Sequence, residues 1–254
     1  MGAVSRIYSQ VYKNFKTLRG SAFRLFDVLA WPYILLFSIT LFVGFVGGKR
    51  YMDMVILGII GWRCVYHLQI DMVTSLTEEY WNNSIPHLMV SPIRRLEFIL
   101  GGAISGAVKF LFVLASYLVI GHFLYAFHVE DYALFAVALL FLGVFGIVLG
   151  MISLGLIYIF QEDAFTVAFL IPDVLVLLSG VYYPTTVFPE PVYTLSQLLA
   201  STYAFDLLKA MVGMGTVRIQ PLVILTLAWL GIGLAFNRLA YDYARRRGRL
   251  ARLG

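Results

Sequence analysis

Residues Glu78 to Glu97 read EEYWNNSIPHLMVSPIRRLE, the longest polar interruption between two very hydrophobic segments. Inside it lies a short run with helix punctuation at both ends. Asn83-Ser84 supplies a start, Pro86 fits a first turn, and Pro92 forces a stop, which predicts a helix over about Ile85 to Val90. Ser75 and Glu78 also have capping-box spacing, but the later start is the better one. Leu88 and Met89 give this run an apolar knob, and Glu78 and Glu79 close the helix before it with negative charge. A chain that only sat in lipid has no use for such a piece. It reads as a docking element for a separate protein, or else as a helix packed on the chain's own N-terminus.

What surrounds it fixes the class. The chain has 254 residues, 61% hydrophobic and 13% charged, with a mean hydropathy of +0.85. A soluble domain of this size carries about a quarter charged residues, so this is an all-α integral membrane protein. Runs of about 20 apolar residues suffice to cross the hydrocarbon. Six are expected: Val28–Gly48, Met54–Val73, Phe98–Tyr125, Tyr132–Phe160, Ala164–Tyr183 and Pro221–Asn237. Lys49 to Asp53 is expected as a short turn. Cys64, the single cysteine, lies inside an apolar run, so disulfides play no part. The basic N-terminal region is long and lacks a small-x-small cleavage site, and it is expected to be retained.

Three further regions complete the plan: an N-terminal segment over residues 1–27, a membrane domain over 28–240 and a basic tail over 241–254. In the first, Val4, Ile7, Tyr8, Val11, Phe15, Leu18 and Ala22 follow the helical period. Arg6, Lys13 and Arg24 fall opposite, with Lys16 and Arg19 on the flanks. That pattern suits an amphipathic helix in the membrane surface, its cations toward anionic headgroups. Residues 184–218, broken by Pro184, Pro189 and Pro191 yet apolar beyond them, predict an external re-entrant segment. Tyr182 and Tyr183 sit at its start, either as interfacial belt residues or as contacts for a substrate.

Orientation follows from counting. With the N-terminus inside, 13 Lys and Arg fall on cytoplasmic segments and 4 on external ones. The positive-inside bias therefore puts both termini and the 78–97 stretch in the cytoplasm. Glycines at Gly102–Gly106 and Gly146–Gly150 have the spacing of close helix packing, within one chain or at a dimer seam.

Catalytic signatures are missing. The nearest approach to a phosphate-binding loop, Gly44 to Arg50, has Val43 and Arg50 where a glycine and a hydroxyl are needed. His122, His128, Glu130 and Asp131 fit no single helical face as metal ligands. Neither an enzyme activity nor a cofactor or nucleic-acid partner is expected of this chain. Arg63, Lys109 and Asp173 lie near mid-depth of their spans, where each unpaired charge costs about 2.5–3.5 kcal/mol. They form either an Arg63–Asp173 structural pair with Lys109 snorkelling, or a net-positive patch on a transport path.

Two longer stretches carry a family resemblance. NSIPHLMVSPIRRLEFILGG (83–102) resembles the ABC-2 type transporter permeases, with a short apolar helix, a Ser-Pro pair and a glycine-rich third span. LSGVYYPTTVFPEPVYTLSQLLASTYAFDLLKAMV (178–212) is similar to that family's fifth span, proline turn and external segment. Asn83-Ser84 stands where the family has Gly-Thr, and Ser201-Thr202-Tyr203 lacks a usual proline. The resemblance implies a half-transporter of the cell membrane that dimerises, as a homodimer, and docks two separately encoded ATPase subunits, in which Mg-ATP binds and is hydrolysed. Ser84, Ile85, Pro86, His87, Leu88, Met89, Val90, Ser91 and Pro92, with Glu78 and Glu79, become the coupling region. Arg63, Lys109, Asp173, Tyr182 and Tyr183 become path candidates. KNFKTLRGSAFRLF (13–26) lacks the Arg-Tyr pair of the polysaccharide exporters, which leaves an amphipathic drug-like or lipid substrate as the expectation. A lipid-linked polysaccharide exporter, an ion-gradient carrier using Arg63, Lys109 and Asp173, and a non-transporting membrane anchor are the alternatives.

Overall fold

The computed structural model describes residues 2–248. Among them are eleven α-helices and no strand: α1 (Ala3–Gly20), α2 (Ala22–Leu29), α3 (Trp31–Val46), α4 (Gly48–Trp81), α5 (Ile85–Val90), α6 (Arg95–Tyr125), α7 (Tyr132–Phe160), α8 (Phe165–Leu178), α9 (Glu190–Gln197), α10 (Ala200–Ala210) and α11 (Ile219–Arg246). Residues 249–254 of the basic tail lie outside the described residues.

Four apolar stretches are long enough to cross a membrane: Arg24–Phe45, Arg95–Tyr125, Tyr132–Leu178 and Ile219–Arg246. The third is not one rod. Gln161 has φ of +55° and opens a 3-10 turn over Gln161–Ala164, so the chain reverses and α8 returns along α7. Gly180, at φ +64°, then ends the return leg earlier than the Tyr183 expected from sequence. With 14 residues, α8 is only about 21 Å long.

The axis of the molecule is α4, which is not among those four stretches because its sequence mixes polar with apolar residues. It packs against α3, α6, α7, α8 and α10, and nearly every residue from Met54 to Glu79 is buried. Its 34 residues make it about 51 Å long. Lys49 to Asp53 is its opening turn rather than a loop. The chain turns one step earlier, at Gly48 with φ of +73°, and Lys49 then bonds Asp53 at 2.7 Å within the helix.

Lipid tails are as apolar as leucine, so helices in a membrane gain little by burying apolar area and depend on close packing. Here the glycines supply it. A Cβ on Gly106 would lie 2.3 Å from the His67 carbonyl oxygen, and one on Gly146 would lie 2.7 Å from that of Val65. Gly102 and Gly150 meet Met72 from the two sides. Both glycine pairs therefore seat α6 and α7 on α4 within one chain.

The bundle has two distinct ends. Arg6 of α1 pairs with Glu97 of α6, Arg95 donates to Asn237 of α11, Trp81 and Tyr80 meet Phe165 edge to face, and Tyr158 meets Tyr241 in the same way. These contacts gather α1, α5 and the last turns of α11 at one end. At the other, Lys49 reaches the Tyr125 and Ala126 carbonyls, and Arg50 those of Val212 and Gly213. Between residues 184 and 218, α10 is sunk among α4, α7 and α11, with Phe205 and Leu208 against Gly61. Its polar residues are tied together, Asp206 with both Lys209 (3.3 Å) and Arg218 (2.9 Å).

Candidate functional site

The expected docking helix is present with the expected limits, Ile85 to Val90, with Pro86 in its first turn. It forms because Asn83 takes a left-handed φ of +52° and redirects the chain after α4, and Ser91-Pro92 then returns it to extended backbone. Ser84 does not cap it. Its hydroxyl donates instead to the Glu79 carboxylate, back on α4. Leu88 and Met89 are not a free knob either: both are half-buried against the core cluster that holds Leu76, Ile85 and Phe98. The free apolar surface lies beside them, at Val90, 83% exposed, and Trp81, 61% exposed.

The N-terminal cations bind this region together. Lys13 pairs with Glu79, Arg24 with Glu78, and Arg6 with Glu97 at 2.5 Å. Three of the five cations expected at lipid headgroups are thus turned inward onto carboxylates. The reason is complementarity: α1 has no acidic residue to pair with its own cations, and the ends of α4 and α6 present three. Beneath the pairs, Gln10 and Asn14 are buried, and Asn14 donates to Ser105 (3.0 Å) and accepts from Ser75 (3.0 Å). The outer edge of α1, with Val4, Tyr8 and Tyr12, remains exposed. Between α1 and α5 runs a groove of about 360 Å³ lined by Gln10, Lys13, His87, Leu88 and Ile93 among others.

The charges in the middle of the bundle pair differently from either expectation. Lys109 of α6 bonds Asp71 of α4, and both are buried. Asp71 escaped notice because the second span was expected to end at Val73, which put it at a boundary. The helix runs eight residues further, so Asp71 is deep. Arg63, 1% exposed, makes no ion pair with Asp173. Its guanidinium lies 5.3 Å from the centre of the Tyr66 ring, whose hydroxyl donates to Asp27 at 3.3 Å. Both Asp27 and Asp173 are within electrostatic reach of Arg63. Asp27 is half-buried and Asp173 exposed, on a face of α8 that also shows Val167, Leu170, Val174 and Leu177. The accessible charge around Arg63 is therefore acidic, not the net-positive patch expected.

Arg63, His67, Asp71 and Ser75 recur every four residues and form one buried row along α4. Among the described residues, the Arg63 Nε and Nη2, both His67 ring nitrogens and one Asp71 oxygen find no hydrogen-bond partner in the chain. His67, Asp71, Asp27 and Asn14 are the residues that sequence reasoning missed. The four-residue spacing was a readable signal for the first two.

At the opposite end, Tyr182 and Tyr183 are half-buried, and the Tyr183 hydroxyl donates to the Leu177 carbonyl at 2.8 Å. Tyr183 thereby closes the turn after α8, a local structural task. His122 and His128 stack with ring centres 4.7 Å apart, but no group of three metal-ligating side chains exists among the described residues.

A family model described as ABC-2 type transporter matches residues 10–212. That range takes in α4 with its buried row, α5 and α10. No curated protein matches the chain.

Proposed function

The chain belongs to the ABC-2 type transporter family, a family of multi-pass membrane permeases without an ATPase domain that work with ABC ATPases, and we propose that it is one half of an exporter. Two copies form the outward path, and each docks a separate ATPase subunit through α5. Mg-ATP binds and turns over in those partners. The observation that carries this reading is the mounting of α5. A six-residue helix on a polar linker is joined by Glu79 to α4 behind it and to Lys13 of α1 beside it. A push on the exposed Val90 surface therefore reaches the bundle's central helix directly.

In this reading the chain crosses the membrane six times: α2–α3, α4, α6, α7, α8 and α11. Here α4 counts as a span because its polar row is sheathed by neighbours, and α8 because the turn at Gln161 reverses the chain. Both termini face the cytoplasm of the plasma membrane, consistent with 13 against 4 basic residues on the two sides. The 184–218 segment dips in from outside, and the exposed edge of α1 rests on lipid.

Asp173 supports the second copy. An exposed carboxylate in the middle of an apolar helix face is costly against lipid, so that face borders a partner or a hydrated path. Tyr66, Asp27, Asp173 and Tyr182 line the path with Arg63 buried behind them, whereas Lys109 is assigned to structure. Acidic and aromatic groups at an accessible surface favour a neutral or cationic amphiphile, such as a drug-like molecule or lipid. They disfavour the phosphates of a lipid-linked polysaccharide.

Co-purification tests the docking. Val90→Asp and Leu88→Asp are expected to leave the permease folded but to lose the ATPase partner and ATP-dependent transport. Retained association with either variant would sink the assignment. A gradient-driven carrier would draw on the buried row Arg63–His67–Asp71 instead. Transport in vesicles with ATP and no proton gradient, and the reverse, separates the two.

A further inference from the structure

A groove of about 690 Å³ runs between α7 and α11 at the end of the bundle that holds α1 and α5. Its floor is apolar: Ile159 of α7, with Phe236, Leu239 and Ala240 of α11. Gly155 makes room for it, since a Cβ there would lie 2.6 Å from the Phe236 ring. Its rim is cationic, formed by Arg246 and Arg247. The Arg247 guanidinium lies 4.7 Å from the centre of the Tyr243 ring, a contact that holds it at the rim. Asp242 is the one carboxylate lining the groove, and against two arginines it leaves the rim net cationic. Leu239, on the floor, is 69% exposed.

We propose that this groove binds one anionic phospholipid, its phosphate between Arg246 and Arg247 and an acyl chain along Phe236 and Leu239. Three arguments converge on that occupant. The groove is open on the outer flank of a membrane protein, where a lipid is the neighbour at hand. Its depth matches: Asn237, next to Phe236, accepts from Arg95 in the first turn of α6, so the apolar floor starts near the cytoplasmic boundary of the span and the two arginines follow at headgroup depth. Its charge pattern matches, because arginine's planar fork pairs with phosphate by two parallel hydrogen bonds. A zwitterionic lipid offers the same chain but sets its own cation against the arginines. Anionic lipid is also concentrated at the cytoplasmic surface, the side to which this end of the bundle is assigned. The site does not depend on what the permease transports or how it is energised.

The full chain, purified in a neutral detergent with excess phosphatidylglycerol or phosphatidylcholine of the same acyl chains, provides the test by native mass spectrometry. Phosphatidylglycerol is expected to remain bound about tenfold more often than phosphatidylcholine. The double variant Arg246→Gln/Arg247→Gln should lose at least about fivefold of that retention. Leu239→Gln should lose part of it, which a purely ionic surface site would not. Lys16→Gln/Arg19→Gln, an exposed cationic pair on α1, should change nothing, with helical circular dichroism confirming that every variant is folded. The residues after Gly248 are the competing occupant, so a chain ending there should bind at least as much lipid. Equal retention of the two lipids, indifference to the arginine substitutions, or loss of binding on removing residues 249–254 would each overturn the proposal.

Discussion

The docking end and the buried row of α4 both hold oppositely charged groups together, and the two do it at very different cost. At the end that holds α5, Arg6–Glu97, Lys13–Glu79 and Arg24–Glu78 join separate helices with buried carboxylates but cations that water still touches, Lys13 about one-third exposed. Water at the cations screens these pairs. In the bundle, Lys109 and Asp71 are almost entirely withdrawn from solvent. There, loss of one partner strands a charge in a medium of low dielectric. The first arrangement can slip and re-form, which suits the docking role proposed for this end. The second fixes one register of α4 against α6. Under the proposed coupling, force passing through α4 would call for both: a compliant mounting and a stiff shaft.

The sharpest way to break this comparison is to remove one charge from the shaft. Lys109→Met is expected to destabilise the protein by about 3–5 kcal/mol, read as a lowered midpoint of thermal unfolding in detergent. Adding Asp71→Asn should recover most of the loss, because the stranded carboxylate is then gone. A single-variant loss below about 1 kcal/mol would mean that the pair is as hydrated as those at the docking end.

Next in size is the packing of the shaft. Gly106→Ala places a methyl where only 2.3 Å separates it from the His67 carbonyl oxygen, so backbone must move. Overpacking of this kind costs about 1–3 kcal/mol. Gly231 of α11 has nothing within 4 Å, and alanine there should be neutral or stabilising by up to about 1 kcal/mol. The two substitutions are chemically identical, so the difference in unfolding midpoint isolates the close approach. Equal effects would remove the claim that glycine seats α6 on α4.

Legibility divides along the same line. The short helix α5 was readable to the residue because its limits are set locally, by the turn at Asn83 before it and Ser91-Pro92 after it. The spans α6 and α7 were readable because uniform apolarity leaves few choices; the fourth span coincides with α7, Tyr132 to Phe160. What failed to show in the sequence was partner choice. Lys109 has several carboxylates in reach of a plausible span plan, and only the eight-residue overshoot of α4 past Val73 selects Asp71. The inward turn of Arg6, Lys13 and Arg24 was equally hidden, since helical periodicity gives a cationic face but not what lies opposite it. Hydropathy also undervalues α4, the helix with the most buried residues, because its polar row is shielded by neighbours and not by its own composition.

Cutting a single strand of the mounting should touch function more than stability. Glu79→Gln removes the carboxylate shared by Lys13 and Ser84. Unfolding should shift by no more than about 1 kcal/mol, and the ATPase partner should still co-purify through the Val90 surface. ATP-driven transport is expected to fall several-fold while basal hydrolysis persists. Wild-type transport in this variant would reduce the Glu79 junction to a surface salt bridge without a mechanical role.

The smallest effect is the one salt should produce without any substitution. The Debye length falls from about 10 Å at 0.1 M to about 3 Å at 1 M, which weakens boundary pairs and leaves buried ones nearly untouched. Amide hydrogen exchange over residues 3–20 should therefore quicken by about two- to fivefold in 1 M KCl. Exchange over residues 54–73 of α4 should not change. If neither segment responds, α1 is held by its buried contacts, Gln10 against Gly101 and Asn14 between Ser75 and Ser105, and its ion pairs serve only orientation. If both respond together, the ends of the bundle and its shaft open as one unit, and the contrast between compliant mounting and stiff shaft fails. Acceleration confined to α1 would place the compliance where a docked partner first pushes.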